Sequence, residues 1–301
     1  MNSIDVPLVA IHCLVYNHEL YLRDCLEGFV MQKTNFNFVA IVHDDASTDT
    51  SSSIIREYAE KYPKIFKPIY ETENQYSKPD GSLWRIMNDA IDATGAKYVA
   101  MCEGDDYWID PLKLQKQINF METNPEYSMC FHASTLKNEL GYKEEYDCTN
   151  IVTKDYTASE LFTHWIVPTA SILYIKDRVH AYRIIHKEWM ITGDVCLVAI
   201  CATVGKVRGF SDVMSVYRLN RNSLVHSKQY EIDQIMKHPK HFLSFYYSFP
   251  NLKEEIKYCL SQAYYSRFRF GKTNIVIKIV DLIKSFYYYP MFVINKVKKY
   301  I

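Results

Sequence analysis

The sequence predicts an α/β protein with a mainly parallel, Rossmann-like sheet flanked by helices and a helical C-terminal extension. Short apolar runs of strand length alternate with amphipathic helical segments through the first 110 residues. Polar residues follow these runs, where each strand gives way to a helix. Hydrophobic residues make up 48% of the chain and charged residues 23%, which is the balance of an ordinary globular protein.

Four strands and three intervening helices are predicted in the first half of the chain. The expected strands cover residues 8–15, 38–43, 65–70 and 98–102. The expected helices cover residues 19–29, 50–62 and 82–94, the first with Leu22, Cys25, Leu26 and Phe29 on one face. Because strands that alternate with helices run parallel, their carboxyl ends should meet at one edge of the sheet.

The second half of the chain has a more mixed pattern. It predicts helices over residues 112–122 and 193–204, strands over 127–133, 170–175 and 213–218, and loops over 137–153. From residue 230 the chain is expected to be helical, aromatic and basic. We therefore predict an α/β domain over residues 1–229, with halves of about 6–110 and 111–229, followed by a helical region over 230–301.

Charge and cysteine content narrow the class of protein. The formal net charge is zero, so nothing suggests a nucleic-acid partner, although residues 230–301 carry +7 and residues 1–229 carry −7. The eight cysteines form no C-x-x-C pair, which predicts reduced thiols in a cytoplasmic protein. The pattern of a signal peptide is missing from the first residues, and no uncharged apolar run is long enough for a transmembrane helix.

A cluster of acidic residues follows the predicted strand at 98–102. Glu103, Asp105 and Asp106 place three carboxylates within four positions, and they repel each other unless a cation or hydrogen-bond donors compensate them. Hard oxygen ligands suit Mg²⁺ or Mn²⁺, which also bind phosphate oxygens. An acidic turn that caps the next helix, begun by Pro111, is the alternative.

Two other strand ends also carry polar residues, at 16–18 and at 44–45. Three strand ends thus present polar groups at one edge, as in a mononucleotide-binding sheet. The sequence contains no G-x-G-x-x-G and no G-x-x-x-x-G-K-[ST], so it lacks the dinucleotide fingerprint and the P-loop.

Four segments, taken in order, match the motifs of a known family. Residues 15–19 are similar to a T-Y-N turn, residues 42–49 to a D-D-G-S-T-D turn, and residues 103–106 occupy the place of a metal-binding D-x-D. The fourth segment is Gly193-Asp194 at a helix start, followed by residues 205–207 and 216–218. Over about residues 6–227 the chain therefore resembles a family 2 glycosyltransferase of the GT-A fold, of the bacterial polysaccharide-biosynthesis type.

The chain departs from the family pattern at three places. Ala46 stands where the second motif usually has glycine, and Glu103 replaces the first aspartate of D-x-D. Many relatives carry a histidine two residues after the arginine that corresponds to Arg218. Here that position is Asn220, and a histidine follows only at His226, so either residue could complete the metal or diphosphate site.

The resemblance implies a nucleotide-sugar site and a divalent cation, Mn²⁺ or Mg²⁺. The implied donor-binding residues are Val15, Tyr16, Asn17, Glu19, Asp44, Asp45, Glu103, Gly104, Asp105, Asp106 and Arg218. The implied metal ligands are Asp105, Glu103 and His226. Asp45 would accept the imide N–H of the base, and Arg218 would bind the diphosphate. Helix capping by Asp44 and Asp45 and a surface ion pair for Arg218 are the alternatives.

The resemblance also implies a catalytic base. Asp194 would take the proton of the acceptor hydroxyl in a single inverting displacement, although it could simply cap the helix that it begins. The acceptor would be a saccharide or a lipid-linked saccharide in cell-surface polysaccharide synthesis. A non-catalytic sugar-nucleotide or glycan-binding module is the alternative. A sugar-1-phosphate nucleotidyltransferase is less favoured, because residues 16–19 lack a glycine-rich loop.

The C-terminal region is rich in aromatic and basic residues. Residues 230–301 contain 17 aromatic residues, with lysines interspersed among apolar side chains. Such a composition suits helices that lie on an anionic membrane surface, here the inner leaflet. A helical cap whose lysines extend into water is the alternative.

Overall fold

The computed structural model describes residues 6–78, 80–139, 150–163, 166–182, 192–220 and 228–298. The chain forms two compact units. The sheet unit comprises Met1–Tyr156, Ile166–Ala181 and Val204–Leu219, and the helical unit comprises Thr157–Trp165, Tyr182–Thr203 and Asn220–Ile301. The domain boundary expected at residue 229 stays a prediction.

The sheet unit contains one nine-stranded sheet. Its strands are β1 (Val9–Val15), β2 (Phe38–Asp44), β3 (Phe66–Tyr70), β4 (Tyr98–Met101), β5 (Tyr107–Trp108), β6 (Tyr127–Asn138), β7 (Lys154–Tyr156), β8 (Leu173–Ile175) and β9 (Lys206–Leu219). Their order is β3-β2-β1-β4-β8-β6-β9-β5, and β7 pairs with β9. Strands β1 to β4 are parallel, which confirms the parallel arrangement expected from the first half of the sequence. The second half adds antiparallel pairs, such as β8 with β4 and with β6.

The described part of the chain contains helices in both units. They are α1 (Leu22–Val30), α2 (Ser51–Lys61), α3 (Ser82–Ala93), α4 (Lys113–Thr123), α5 (Ala158–Thr163), α6 (Lys176–His180), α7 (Gly193–Val204), α8 (Lys228–Ser248), α9 (Lys253–Phe270), α10 (Ile275–Tyr288) and α11 (Pro290–Lys298). The described helices of the sheet unit are α1 to α4 and α6, and those of the helical unit are α5 and α7 to α11. Helix α1 buries Leu22, Cys25, Leu26 and Phe29 in the core of the sheet unit, as its spacing predicts. Trp108 joins the same core, and its indole N–H donates to the carbonyl of Ala170 at 2.8 Å.

Two strands are longer than their patterns predict. Strand β9 begins at Lys206 rather than at residue 213, and β6 extends to Asn138 into the segment expected to be loop. These two strands pair in parallel along most of their length, with register shifts near Ala133. The hydrogen bonds between β6 and β9 pair the backbone N–H and C=O groups of their polar residues. These residues lack the alternation of apolar and polar side chains from which a strand is predicted. Residues 140–149 of the expected loop lie outside the described residues.

The helical unit confirms the helical character expected from residue 230, with α8 to α11 in succession. Helices α9 and α10 pack through side chains, and the rings of Tyr264 and Tyr288 stack at 5.9 Å between centroids. Among the described helices, none has the length and apolar character needed to cross a membrane.

Candidate functional site

Three strand ends of the sheet unit meet at one edge. Val15 at the end of β1 pairs with Asp44 at the end of β2, and His12 pairs with Met101 at the end of β4. The turns at 16–19 and 45–50 and the acidic segment at 103–106 follow these ends directly. The edge expected from the sequence is therefore present, because parallel strands place their carboxyl ends together.

The turns after β1 and β2 hold each other through hydrogen bonds. The side-chain oxygen of Asn17 accepts from the Thr48 backbone N–H at 2.7 Å, and the Asn17 N–H donates to the Ser47 hydroxyl at 2.9 Å. The Glu19 carboxylate accepts from the Thr50 N–H at 3.0 Å and from its hydroxyl at 2.7 Å. Asn17 and Glu19 thus fix the two turns, and their expected contact with a donor stays a prediction.

Asp44 and Asp45 are both buried and both accept hydrogen bonds from nearby backbone. Asp44 accepts from the Ser47 N–H at 3.1 Å, which shapes the turn before α2. The two oxygens of Asp45 accept from the N–H groups of Gln75 at 2.6 Å and Tyr76 at 3.0 Å. Asp45 is only 4% exposed, so here its carboxylate anchors the segment around Gln75. Its expected contact with the base stays a prediction.

Ala46 adopts a left-handed backbone conformation with φ of 61°. Glycine is favoured in this conformation, since a Cβ in that region costs about 1–2 kcal/mol. We expect Ala46→Gly to raise the free energy of unfolding by roughly 0.5–1 kcal/mol, after glycine's larger unfolded-state entropy is subtracted. Thermal melting should show a higher Tm, and a lower Tm would contradict the strain at this position.

Gly104 lies where the acidic segment passes the turn after β1. A Cβ at this position would lie 2.7 Å from Nδ1 of His18 and 2.9 Å from Cγ2 of Val15, and the Gly104 N–H donates to the Leu14 carbonyl at 2.9 Å. The glycine therefore lets the acidic segment approach β1 closely. Val15 itself is buried, so it shapes the site from within the core.

We expect Gly104→Ala to displace the acidic segment while the fold survives, because the two atoms nearest the new methyl group belong to side chains, with the Leu14 carbonyl oxygen farther away at 3.3 Å. Displacement of about 1 Å can cost on the order of 100-fold in rate, so kcat/KM for any reaction that depends on the acidic segment should fall by about 10- to 100-fold. Steady-state kinetics with a thermal melt on the same preparation checks this. If Gly104→Ala left KM and kcat unchanged, the close approach of the acidic segment to the turn after β1 would not matter for the site.

The acidic cluster, defined as Glu103, Asp105 and Asp106, combines one buried and two partly exposed carboxyls. Asp106 is 2% exposed and accepts from the Arg218 backbone N–H at 2.8 Å. Burial, followed by the negative charges of Asp105 and Glu103, raises the pKa of Asp106 well above its usual range. The negative charges of Asp105 and Glu103 thus lie close enough to disfavour a third charge on Asp106, and a cation would relieve this repulsion.

The chemistry of this cluster fits a hard divalent cation. Mg²⁺ is typically held by one or two carboxylates, with water and substrate phosphates as its other ligands. Glu103 and Asp105 supply two such carboxylates. Within the described ranges, no three His, Cys, Asp or Glu side chains converge as a complete metal cage, so a cation there would need outside ligands. His226 lies outside the described residues.

Arg218, at the end of β9, is buried within the sheet unit. It is 4% exposed, so the ion pair considered as an alternative is present, with Asp24 and Glu139, but its guanidinium is buried rather than at the surface. Its guanidinium donates to the Asp105 carbonyl at 2.9 Å, to Glu139 at 3.1 Å and to Asp24 at 2.9 Å. Because three of its five N–H groups donate to protein oxygens of this unit and the guanidinium is buried, a role in positioning the acidic cluster is favoured over the expected diphosphate contact.

Three residues at this site were missed by sequence analysis. Asp24 and Glu139 are far from Arg218 in sequence, and no motif links them to it. His18 belongs to the first motif, and its buried Nδ1 has no hydrogen-bond partner. Burial lowers the pKa of His18, while the charge of Asp105 opposes that shift. The only signal for His18 was its place between Asn17 and Glu19.

Asp194 lies in the first turn of α7, in the helical unit. Its carboxylate accepts from the N–H of the next residue, Val195, at 2.8 Å, and α7 begins one residue earlier at Gly193. An N-cap side chain accepts from the second or third N–H of its helix, so this contact does not show the capping alternative. Burial raises the pKa of the Asp194 carboxyl above its ordinary value. A raised pKa strengthens a carboxylate as a base, which suits the expected proton transfer.

Comparison with known families and proteins gives a consistent result. The model of the family described as glycosyl transferase family 2 matches residues 11–177, which is more than half of the chain. An uncharacterised protein of Mycobacterium tuberculosis (strain H37Rv) is 34% identical over 219 residues, covering 73% of this chain and 61% of that protein. The matched part of the chain therefore spans less than two thirds of that relative.

Two solved structures resemble the fold. S. aureus TarS, residues 1–349 in complex with UDP-GlcNAc, has a TM-score of 0.65 and 15% identity, covering 92% of this chain and 79% of that one. The mannosyltransferase PcManGT of Pyrobaculum calidifontis, with GDP-Man and Mn²⁺, has a TM-score of 0.55 and 15% identity, covering 98% and 84%. At these identities the likeness shows the fold, which is the GT-A fold expected from the sequence.

Proposed function

Because this chain belongs to glycosyl transferase family 2, we propose that it moves a sugar from a nucleotide-diphosphate sugar to a saccharide or lipid-linked saccharide. The transfer inverts the anomeric carbon and serves cell-surface polysaccharide synthesis. The observation that carries the proposal is the acidic cluster at the sheet edge, beside the braced turns after β1 and β2. The edge combines carboxylates for a cation with polar turns for a nucleotide.

The donor would bind at this edge of the sheet unit. Tyr16 is 43% exposed and offers a ring face for the base. Glu103 and Asp105 would hold Mn²⁺ or Mg²⁺, with His226 or Asn220 as a further contact. When bound, the cation would neutralise the negative charge that develops on the departing diphosphate. The Mn²⁺ in the PcManGT complex supports this choice of metal.

Arg218 would keep the cluster in place rather than bind the donor. Its contact with the Asp105 carbonyl and its ion pairs with Asp24 and Glu139 tie the acidic segment to α1 and to the end of β6. The buried Asp106, held by the Arg218 backbone, adds a second attachment. A preorganised cluster costs less reorganisation when the donor binds.

Asp194 would act as the general base. It would take the proton of the acceptor hydroxyl as that oxygen bonds to the anomeric carbon and the bond from this carbon to the diphosphate oxygen breaks. One displacement with one base inverts the configuration and leaves no covalent intermediate. We place the reaction in the cytoplasm, at the inner membrane face where the acceptor is lipid-linked.

A nucleoside-diphosphate release assay tests the proposal. Purified protein is offered a panel of UDP-, dTDP- and GDP-sugars with Mn²⁺ or Mg²⁺, and release is compared with and without EDTA. We expect release from one donor class, lost with EDTA. Calorimetry on the same panel separates the main alternative, because a non-catalytic module would bind a donor without turnover. If the protein neither released a nucleoside diphosphate nor bound any donor in a metal-dependent way, the assignment of the donor site would be wrong.

A further inference from the structure

Helix α10 turns polar residues inward and apolar residues outward. Its buried residues are Asp281 and Ser285. The outer face of α10 is defined by exposed side chains, which are Ile275, Val276, Ile279, Val280, Ile283, Phe286 and Tyr287. A helix that packs on a protein core in water normally buries its apolar side and exposes its polar side.

Directional contacts hold α10 in this orientation. The Asp281 carboxylate accepts two hydrogen bonds from the guanidinium of Arg267 on α9, at 2.8 and 2.6 Å. The Ser285 hydroxyl donates to the Ser261 carbonyl on α9 at 2.8 Å. Rotating the helix to bury its aliphatic side would break a bidentate ion pair. The apolar exposure is therefore part of how the two helices pack.

The exposed apolar surface is concentrated in this region. Of the 21 large apolar side chains that are exposed among the described residues, eleven lie between Phe270 and Met291. Ile283 is 63% exposed and Tyr287 is 78% exposed. A contiguous patch of this kind marks a contact with another protein or with a membrane.

The charged residues around the outer face indicate whether it contacts another protein or a membrane. Lys278 and Lys284 lie three residues on either side of Asp281, so they border the inward stripe, and Lys272 and Lys296 lie nearby in the chain. Asp281 is the only acidic residue between 272 and 298, and it is buried and paired with Arg267. If two copies of this chain met at the outer face, their lysines would repel each other. An anionic lipid surface would instead attract these lysines.

From this pattern we infer that the outer face of α10 docks into the headgroup region of a bilayer that contains anionic lipids. The 14 residues of α10 span about 21 Å, which is too short to cross a bilayer core of about 30 Å. The helix would lie in the membrane plane with its lysines at the phosphates. This inference rests on the proposed function only in that a lipid-linked acceptor would give membrane docking a purpose. Docking itself requires no nucleotide-sugar donor, so it can be tested separately.

Vesicle sedimentation of the full chain tests this inference. Vesicles of phosphatidylcholine alone are compared with phosphatidylcholine mixed with phosphatidylglycerol, and we expect stronger binding to the anionic mixture. The double variant Ile279→Glu with Ile283→Glu should bind at least about tenfold more weakly. Lys278→Gln with Lys284→Gln should weaken binding to anionic vesicles by about 30-fold, at about 1 kcal/mol per lysine. Val152→Glu, at an apolar side chain 60% exposed in the sheet unit, is the matched control.

Two results would overturn the inference. The first is a wild-type protein that does not bind anionic vesicles, or glutamate variants that bind as well as the wild type. The second is a dimer in light scattering that separates in the glutamate variants, without vesicle binding, which would assign the face to a second copy. Nucleoside-diphosphate release on the same preparations separates this result from the proposed function, because donor turnover without lipid binding overturns only the docking surface.

Discussion

Replacing Asp105 with asparagine is expected to lower donor turnover by about 100- to 1,000-fold. Enzymes typically lose this much in kcat when one group that stabilises the charge of the transition state is removed. Asparagine keeps the shape of the side chain but removes its negative charge, so any cation at the acidic cluster loses a ligand. The backbone carbonyl that Arg218 holds is unchanged by this substitution. We therefore expect an intact fold with weaker metal-dependent donor binding.

The measurement for Asp105→Asn is nucleoside-diphosphate release across a Mn²⁺ titration, with donor affinity from calorimetry. Raised Mn²⁺ should restore part of the activity if the lost interaction is with the cation. Asp212→Asn is the matched control, because Asp212 has a side chain 47% exposed and pairs with Lys116 at 3.0 Å. Activity above one tenth of the wild type in Asp105→Asn would remove Asp105 from the metal site.

Replacing Asp194 with asparagine is expected to separate chemistry from donor binding. Loss of a general base typically costs about 100- to 10,000-fold in rate, so kcat should fall by that range while donor affinity stays near the wild-type value. Asparagine can still accept from the Val195 N–H, so the first turn of α7 should be preserved. A purely structural role of Asp194 in this turn would leave kcat unchanged.

The pH profile gives a second test of Asp194. Burial raises its pKa above the ordinary value, and a base works only as the carboxylate. Wild-type kcat/KM should therefore fall as the pH drops through this raised pKa, with a midpoint above about 4, the value of an exposed aspartate. The residual activity of Asp194→Asn should lack this acidic limb. Asp177→Asn is the control, since its side chain is 88% exposed in the sheet unit.

Much of the site was predictable because its residues lie close together in sequence. The acidic cluster follows one strand, and the turns at 16–19 and 45–50 follow two others. Parallel strands bring these ends to one edge whatever the rest of the chain does. The roles of individual groups were less predictable, since Asp45 and Glu19 accept backbone hydrogen bonds that no periodicity reveals.

The environment of Arg218 depends on tertiary structure. The sequence presents a lone arginine near the end of a strand, and a surface ion pair was a reasonable alternative. In the fold, β9 pairs with β5 and β6, and Asp24 approaches from α1 across 194 positions of sequence. Long-range pairing of this kind buries the guanidinium and provides three protein oxygens to which it donates.

The orientation of α10 shows the same limit. Its composition is compatible with a helix that lies on a membrane surface and equally with a helical cap of the protein. Composition does not show which side of a helix is buried. In the structure, the pairing of Arg267 with Asp281 across two helices shows which side of α10 is buried.

By itself the sequence determined the α/β class, the order of the first strands and helices, the family and the acidic cluster, because these depend on local periodicity and on motifs of consecutive residues. Only the tertiary structure decided the length of β6 and β9, the burial of Arg218 and Asp106, the close approach at Gly104 and the outward apolar face of α10. Each of these depends on partners distant in sequence, whose hydrogen bonds and packing exist only once the chain has folded.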